Sequence, residues 1–245
     1  MGHGRRLERQ TRRRVAEDTG TILTSPLRWD VQDWLIFGGV GLATGGLMFL
    51  DTDINDALQR NQSSTLNSIS NVVGAFGTWV PALLVGGMYV AGSVYDVPSW
   101  KAASADALEA RLIAVGLMAM PVNFIAGRSR PEDNQGSTSY HPFTAGSSLP
   151  SLTTTFVFSV ASVMAEHADN LGVSLLAYGI ATAVGLSRMY DDKHWASDVL
   201  LGAALGTAVG KVVVKLNDQR RADARVSVVP LVSDKMQGAM LQVKF

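Results

Sequence analysis

Six apolar stretches, each about 16 to 20 residues long, leave few folds open to this chain. They occupy residues 34–50, 79–95, 107–126, 149–165, 171–186 and 195–214. A helix needs roughly 20 such residues to cross a hydrocarbon core of about 30 Å. Gly and Ala punctuate most of the runs, as at Gly38-Gly39, Gly45-Gly46 and Gly202, Gly206 and Gly210. In water these glycines weaken a helix. In a bilayer small residues let helix backbones approach closely. Charged side chains are almost absent inside the runs. The expected fold is therefore all-α, a six-helix transmembrane bundle. The competing fold is a soluble helical protein with unusually apolar core helices.

Charge refines this picture. The formal net charge is zero, so nothing in the bulk charge favours nucleic acid. Seven arginines fall in the first 28 residues, and Lys211, Lys215, Arg220, Arg221 and Arg225 form a second basic cluster. Each cluster abuts an apolar run, as membrane-flanking anchors do. Placing both clusters and Lys101 on one side leaves Arg60, Arg128, Arg130, Arg188 and Lys193 on the other. Both termini are then cytoplasmic, in a multi-pass protein of a bacterial-type inner membrane. The loops after the third and fifth runs face the periplasm. Four of the five charges on that outer side crowd into those two loops, which points to chemistry there. No secretory signal is apparent, since the first apolar run starts only near residue 34. The chain has no cysteine, which excludes disulfides and thiolate-bound metals.

Three parts follow: a basic polar leader at 1–30, the helical domain at 31–215, and a polar linker with a β-hairpin at 216–245. Within 52–78, Ile54, Leu58, Leu66, Ile69, Val72 and Val73 recur at near-helical spacing. That pattern predicts an amphipathic helix lying on the outer surface. Residues 131–148 are rich in Gly, Ser, Thr, Asn and Pro, hence irregular. In the tail, Ala239, Leu241, Val243 and Phe245 alternate with polar residues, which predicts a strand paired with 226–232.

The outer face gathers residues suited to a phosphate group. Gly127-Arg128-Ser129-Arg130-Pro131 closes the third run, and Pro150-Ser151 opens the fourth. Ser187-Arg188 closes the fifth, and His194 and Asp198 open the sixth. Guanidinium groups and helix N-terminal N–H groups stabilise phosphoryl oxygens. His194 and Asp198 are four apart and share a helix face. Asp198 is thus placed to hold one imidazole nitrogen and leave the other free to attack.

These residues carry a family resemblance. Ser187-Arg188, His194 and Asp198 fit the pattern S-R-x5-H-x3-D without a gap. Arg130-Pro131 fits the end of K-x6-R-P, and Pro150-Ser151 the start of P-S-G-H. In order and spacing the chain resembles the type 2 phosphatidic acid phosphatase and vanadium haloperoxidase superfamily, in its membrane lipid-phosphatase branch. The resemblance covers roughly residues 30–215. It implies that His194 is a nucleophile forming a phosphohistidine and that Asp198 orients it. It implies that Arg130, Ser151 and Arg188 cradle the phosphate, with Ser187 beside them. It implies no metal or other cofactor, and a phosphorylated lipid or other phosphate ester as partner.

Two motifs depart from the family. Asn123 stands where the first motif has lysine, and Leu152-Thr153 stand where the second has Gly-His. In the family that histidine protonates the leaving alkoxide. A threonine hydroxyl is far too weak an acid, and losing a general acid typically costs about 100- to 10,000-fold. His141, on the outer loop, is the residue weighed as a substitute acid. Two readings stay open: a hydrolase of lipid phosphates or pyrophosphates with weak activity, or a catalytically inactive relative that binds phosphorylated lipid or a protein. A vanadate-dependent oxidase ranks last.

Overall fold

The computed structural model describes residue 13 and residues 15–233 and 236–243. A first helix, α1 (residues 15–24), runs into a short 3-10 turn at Ser25–Arg28. Eight further helical pieces follow: α2 (Val31–Arg60), α3 (Ser64–Phe76), α4 (Val80–Val94), α5 (Pro98–Arg111), α6 (Met120–Ala126), α7 (Leu152–Ala168), α8 (Leu171–Tyr190) and α9 (Ala196–Arg225). Their starts are set by local chemistry. Asp30 and Asp33 form a reciprocal capping box at α2. Ser63, Ser151 and Asn170 accept from backbone N–H groups at the starts of α3, α7 and α8. A π-helical stretch, Leu112–Ala119, joins α5 to α6. It gives way at Pro121, whose missing N–H removes one ladder bond. Pro98–Ala126 thereby remains one continuous helix.

All six apolar runs fall largely within helices, and among the described residues five helical spans are long and apolar enough to cross a membrane. These are Val31–Arg60, Ser64–Val94, Pro98–Ala126, Leu171–Tyr190 and Ala196–Asp223. The expected sixth, α7, has 17 residues. At 1.5 Å per residue it extends only about 25 Å. It is the inner helix of the bundle, packed against α5, α8 and α9.

Two other expectations are corrected. Residues 52–78 are not one surface helix. The first part completes α2, a break at 61–63 follows, and the rest is α3. The chain also stays helical to Arg225, where a polar linker from 216 was expected. Beyond it, Val226–Ser233 and Met236–Val243 run antiparallel, with Val226 opposite Val243.

The core is built from small side chains. Ala107, Ala110, Ile113 and Ala114 pack against Val163, Val209 and Val213. Phe156, Val157, Val160 and Ala161 pack against Ala181 and Val184. The α7–α9 contact is closest. A Cβ built on Gly206 would lie 2.3 Å from the Thr155 carbonyl oxygen, and one on Gly202 2.7 Å from that of Ser151. Opposite these glycines α7 presents Thr155, Ser159 and Ser162, all fully buried. The apolar surface points outward instead, with Val31, Leu35, Leu42 and Phe49 of α2 well exposed. That is the arrangement expected where lipid, not water, is the solvent.

At the end of the bundle away from the loops, polar groups pair across helices. His167 and Arg221 both donate to the Asp106 carboxylate, each with a closest approach of 2.8 Å. Arg220 pairs with buried Asp18, tying α1 to α9.

The packing yields a stability prediction. Gly206→Val forces a branched side chain into the Thr155 carbonyl, and overpacking of this kind costs about 1–3 kcal/mol or more. Gly86→Ala meets open space and should cost nothing. Thermal unfolding of both variants in one detergent checks the contrast.

Candidate active site

The site is assembled by hydrogen bonds between three chain segments. Gly127, in the left-handed conformation at φ 60°, ends α6. A Cβ there would sit 1.7 Å from the His141 carbonyl oxygen, so only glycine fits. The chain then folds back: His141 N–H donates to the Gly127 carbonyl, and Ser148 N–H to the Arg128 carbonyl. Trp195 Nε1 donates to the Ser129 carbonyl at 2.9 Å. Ser151 N–H donates to the Asp198 carbonyl at 3.1 Å. The segments around 128–131, 148–151 and 187–198 thus meet at one end of the bundle.

At their junction lies Arg128, fully buried. Its guanidinium donates at 2.7 Å to Asp198 Oδ1, to Asp51 Oδ2 and to the Ser137 carbonyl. It also donates to Ser197 Oγ at 2.7 Å. Asp51, near the middle of α2, accepts in addition from the Ser197 N–H at 3.0 Å. Burial alone would lower the Arg128 pKa. The Asp198 and Asp51 carboxylates outweigh it and hold the guanidinium above its ordinary value.

His194 is buried, and its Nδ1–H donates to the Ser148 carbonyl at 2.9 Å. This bond fixes the tautomer and leaves Nε2 with its lone pair. Asp198 Oδ2 is 3.9 Å from Nδ1, too far for a hydrogen bond. It accepts instead from Trp195 N–H at 2.8 Å, closing the first turn of α9. The orienting bond expected from Asp198 is thus made by the Ser148 carbonyl.

The residues expected to form a phosphate cradle make the following contacts. Arg130 donates through Nε to the Gly146 carbonyl at 3.1 Å and through Nη1 to Glu132 at 3.3 Å. Arg188 donates to Asp191 at 2.6 Å, while its Nε is buried with no partner among the described residues. Ser151 caps α7 and also accepts from the Thr154 hydroxyl at 2.9 Å. The Ser187 hydroxyl donates to the Val184 carbonyl of its own helix. Asn123 is buried and donates to the Ser147 carbonyl at 2.6 Å, so the residue at the lysine position supports the loop. Leu152 begins α7, and the Thr153 methyl faces Gly77, where an added Cβ would lie 2.8 Å away. The His141 imidazole contacts Gln135 at 2.9 Å and Ser139 at 3.2 Å within its own loop. No hydrogen bond joins it to His194, Arg188 or Ser151 among the described residues.

Sequence reasoning missed Asp51, Arg128, Ser197 and Glu132 as organisers of this region. Asp51 left a faint trace as the first carboxylate at the end of an apolar run, where ionisable residues tend to be paired. Glu132 bridges Arg130 and Lys193. The Lys193 ammonium holds its carboxyl below the ordinary value, partial burial opposes this, and Arg130 adds to the lowering.

The fold defines an α-helical membrane domain with buried charged residues gathered at one end, and comparison shows what it is similar to. Residues 108–222 match the model of the PAP2 superfamily. Over that stretch the chain is similar to this superfamily, and its long apolar helices make it a multi-pass membrane protein. The lipid A 1-phosphatase of Porphyromonas gingivalis is 33% identical over 123 residues. That stretch covers 49% of this chain but only 25% of the relative, so the chain spans about a quarter of its length. The fold is similar to the crystal structure of LpxE from Aquifex aeolicus, with a TM-score of 0.51 at 17% identity. The likeness covers 68% of this chain and 95% of that one.

Two outcomes follow. Arg128→Met leaves two buried carboxylates unpaired and should cost about 3–5 kcal/mol, with Asp51→Asn added to it restoring part of the loss. Thermal unfolding of the single and double variants measures this. The Glu132 carboxyl has a depressed folded pKa, so its stabilisation exists above the unfolded value of about 4.3 and vanishes as pH falls through the folded value. Wild type and Glu132→Gln should therefore differ in melting temperature at pH 7 and converge below about pH 4.

Proposed function

We propose that this protein hydrolyses phosphorylated lipids at the loop end of the bundle, through a phosphohistidine at His194. The observation that carries the reading is the tautomer of His194, with Nδ1–H on the Ser148 carbonyl and Nε2 free. In the proposed first step the Nε2 lone pair forms a bond to phosphorus while the bond to the leaving oxygen breaks. In the second, water attacks phosphorus, the P–N bond breaks, and inorganic phosphate leaves. Arg130, Arg188 and Ser151 bind the phosphoryl oxygens. The buried, unpartnered Nε of Arg188 is a donor awaiting an acceptor. In its absence Glu132 and Asp191 occupy Arg130 and Arg188, and phosphate displaces them.

The leaving oxygen has no imidazole acid beside it, because Thr153 packs toward Gly77. Substrates with good leaving groups are therefore favoured. Diphosphates are of this kind, and the 1-phosphate of lipid A, named by the P. gingivalis relative, is a further candidate substrate. We further propose that all six apolar runs are membrane helices, with both termini cytoplasmic and the site periplasmic. The Asn123 amide is committed to the Ser147 carbonyl and Thr153 turns its methyl toward Gly77, which favours a second reading: a non-catalytic relative that binds phosphorylated lipid or a protein partner.

Phosphate release from a lipid A 1-phosphate, diacylglycerol pyrophosphate and phosphatidic acid separates the two. Turnover in wild type and its loss in His194→Ala is the expected result. Equal release by both proteins removes the catalytic reading. Leu152→Gly with Thr153→His should raise turnover of the monoester by about 100-fold, as a general acid does.

A further inference from the structure

A groove of about 630 Å³ lies between α4, α5 and α7, apart from the loop segments that build the site. Pro81, Val85 and Gly86 form one wall, and Phe156 and Val160 the other. Three polar side chains of α5 line this apolar slot: Ser104, Glu109 and Arg111. They lie roughly 20 Å or more along the helix from its end at Ala126, by the rise of 1.5 Å per residue.

Each of the three is incompletely satisfied. The Ser104 hydroxyl is buried, at 2% exposure, with no hydrogen-bond partner among the described residues. Glu109 accepts from Asn217 through Oε2 at 2.8 Å, but its Oε1 is buried without a partner. Arg111 stacks its guanidinium 4.5 Å from the Phe156 ring centroid and pairs with no carboxylate among the described residues. A buried polar atom left unpaired costs about 1–3 kcal/mol. Ionisable side chains at membrane depth are retained where something binds them.

The charges define the occupant. One guanidinium and one hydroxyl suit a phosphodiester, whose oxygens accept from both. The free carboxylate oxygen suits an ammonium that donates. The apolar walls suit an acyl chain. We propose that the groove binds a zwitterionic, amine-bearing phospholipid as a bound companion lipid, separate from the His194 site. Its phosphate rests on Arg111 and Ser104, and its ammonium donates to Glu109 Oε1.

Native mass spectrometry of the full chain in detergent tests this, with phosphatidylethanolamine and phosphatidylglycerol as the two titrants. Wild type should hold one phosphatidylethanolamine about tenfold or more tighter than phosphatidylglycerol. Arg111→Ala should weaken that binding about tenfold or more. Glu109→Gln should remove the preference for the amine. Gly86→Leu fills the slot from a position where an added side chain meets open space, so it leaves the fold intact and should abolish the adduct. His194→Ala should keep it, which separates this lipid from substrate. An adduct retained by Gly86→Leu, or equal affinity of wild type for the two lipids, overturns the proposal.

Discussion

The fully buried Arg128 guanidinium, held between Asp51 and Asp198, is the interaction on which the loop end of this bundle depends. Taking three charged groups out of water is expensive, and it is tolerated only when every donor and acceptor is met. Here Ser137 and Ser197 supply the remaining contacts. The network joins α2, the loop after α6 and the start of α9. A change to any member leaves an unpaired charge where no water can reach it.

The site inherits its geometry from that junction. Asp198 is engaged with Arg128 and with the first turn of α9, so it fixes where α9 begins and where His194 stands just before it. The Ser148 carbonyl then sets the imidazole tautomer. Aspartate thus acts on His194 through the backbone it anchors, at a distance of 3.9 Å from the ring. Arg130 and Arg188, by contrast, are held by single carboxylates near the surface. A tightly built foundation thus carries a looser polar rim of surface ion pairs.

Much of this was legible in the residues. Apolar run lengths gave the helices, because backbone hydrogen bonds must close within a segment in lipid. The S-R-x5-H-x3-D spacing pointed to the end of the bundle where Arg188, His194 and Asp198 lie, because they stand at the end of α8 and the start of α9. The amphipathic reading of 52–78 failed because periodicity does not mark a break between two helices pointing in different directions. The fourth run gives α7, at 17 residues shorter than the five long spans and covered by its neighbours α5, α8 and α9. Its Ser and Thr residues serve close packing against Gly202 and Gly206.

Sequence by itself determined that this chain is a helical membrane protein with Arg, His and Asp residues gathered near one set of helix ends, since both follow from local pattern and short-range spacing. Tertiary structure alone decided which partner each charged group takes. Asp51 and Arg128 are far apart in the chain, and nothing local pairs them. The Ser148 carbonyl displaced Asp198 as the hydrogen-bond partner of His194 because a folded-back loop brought backbone to the ring. Such pairings depend on where buried groups end up in three dimensions, and the low-dielectric interior makes each of them obligatory.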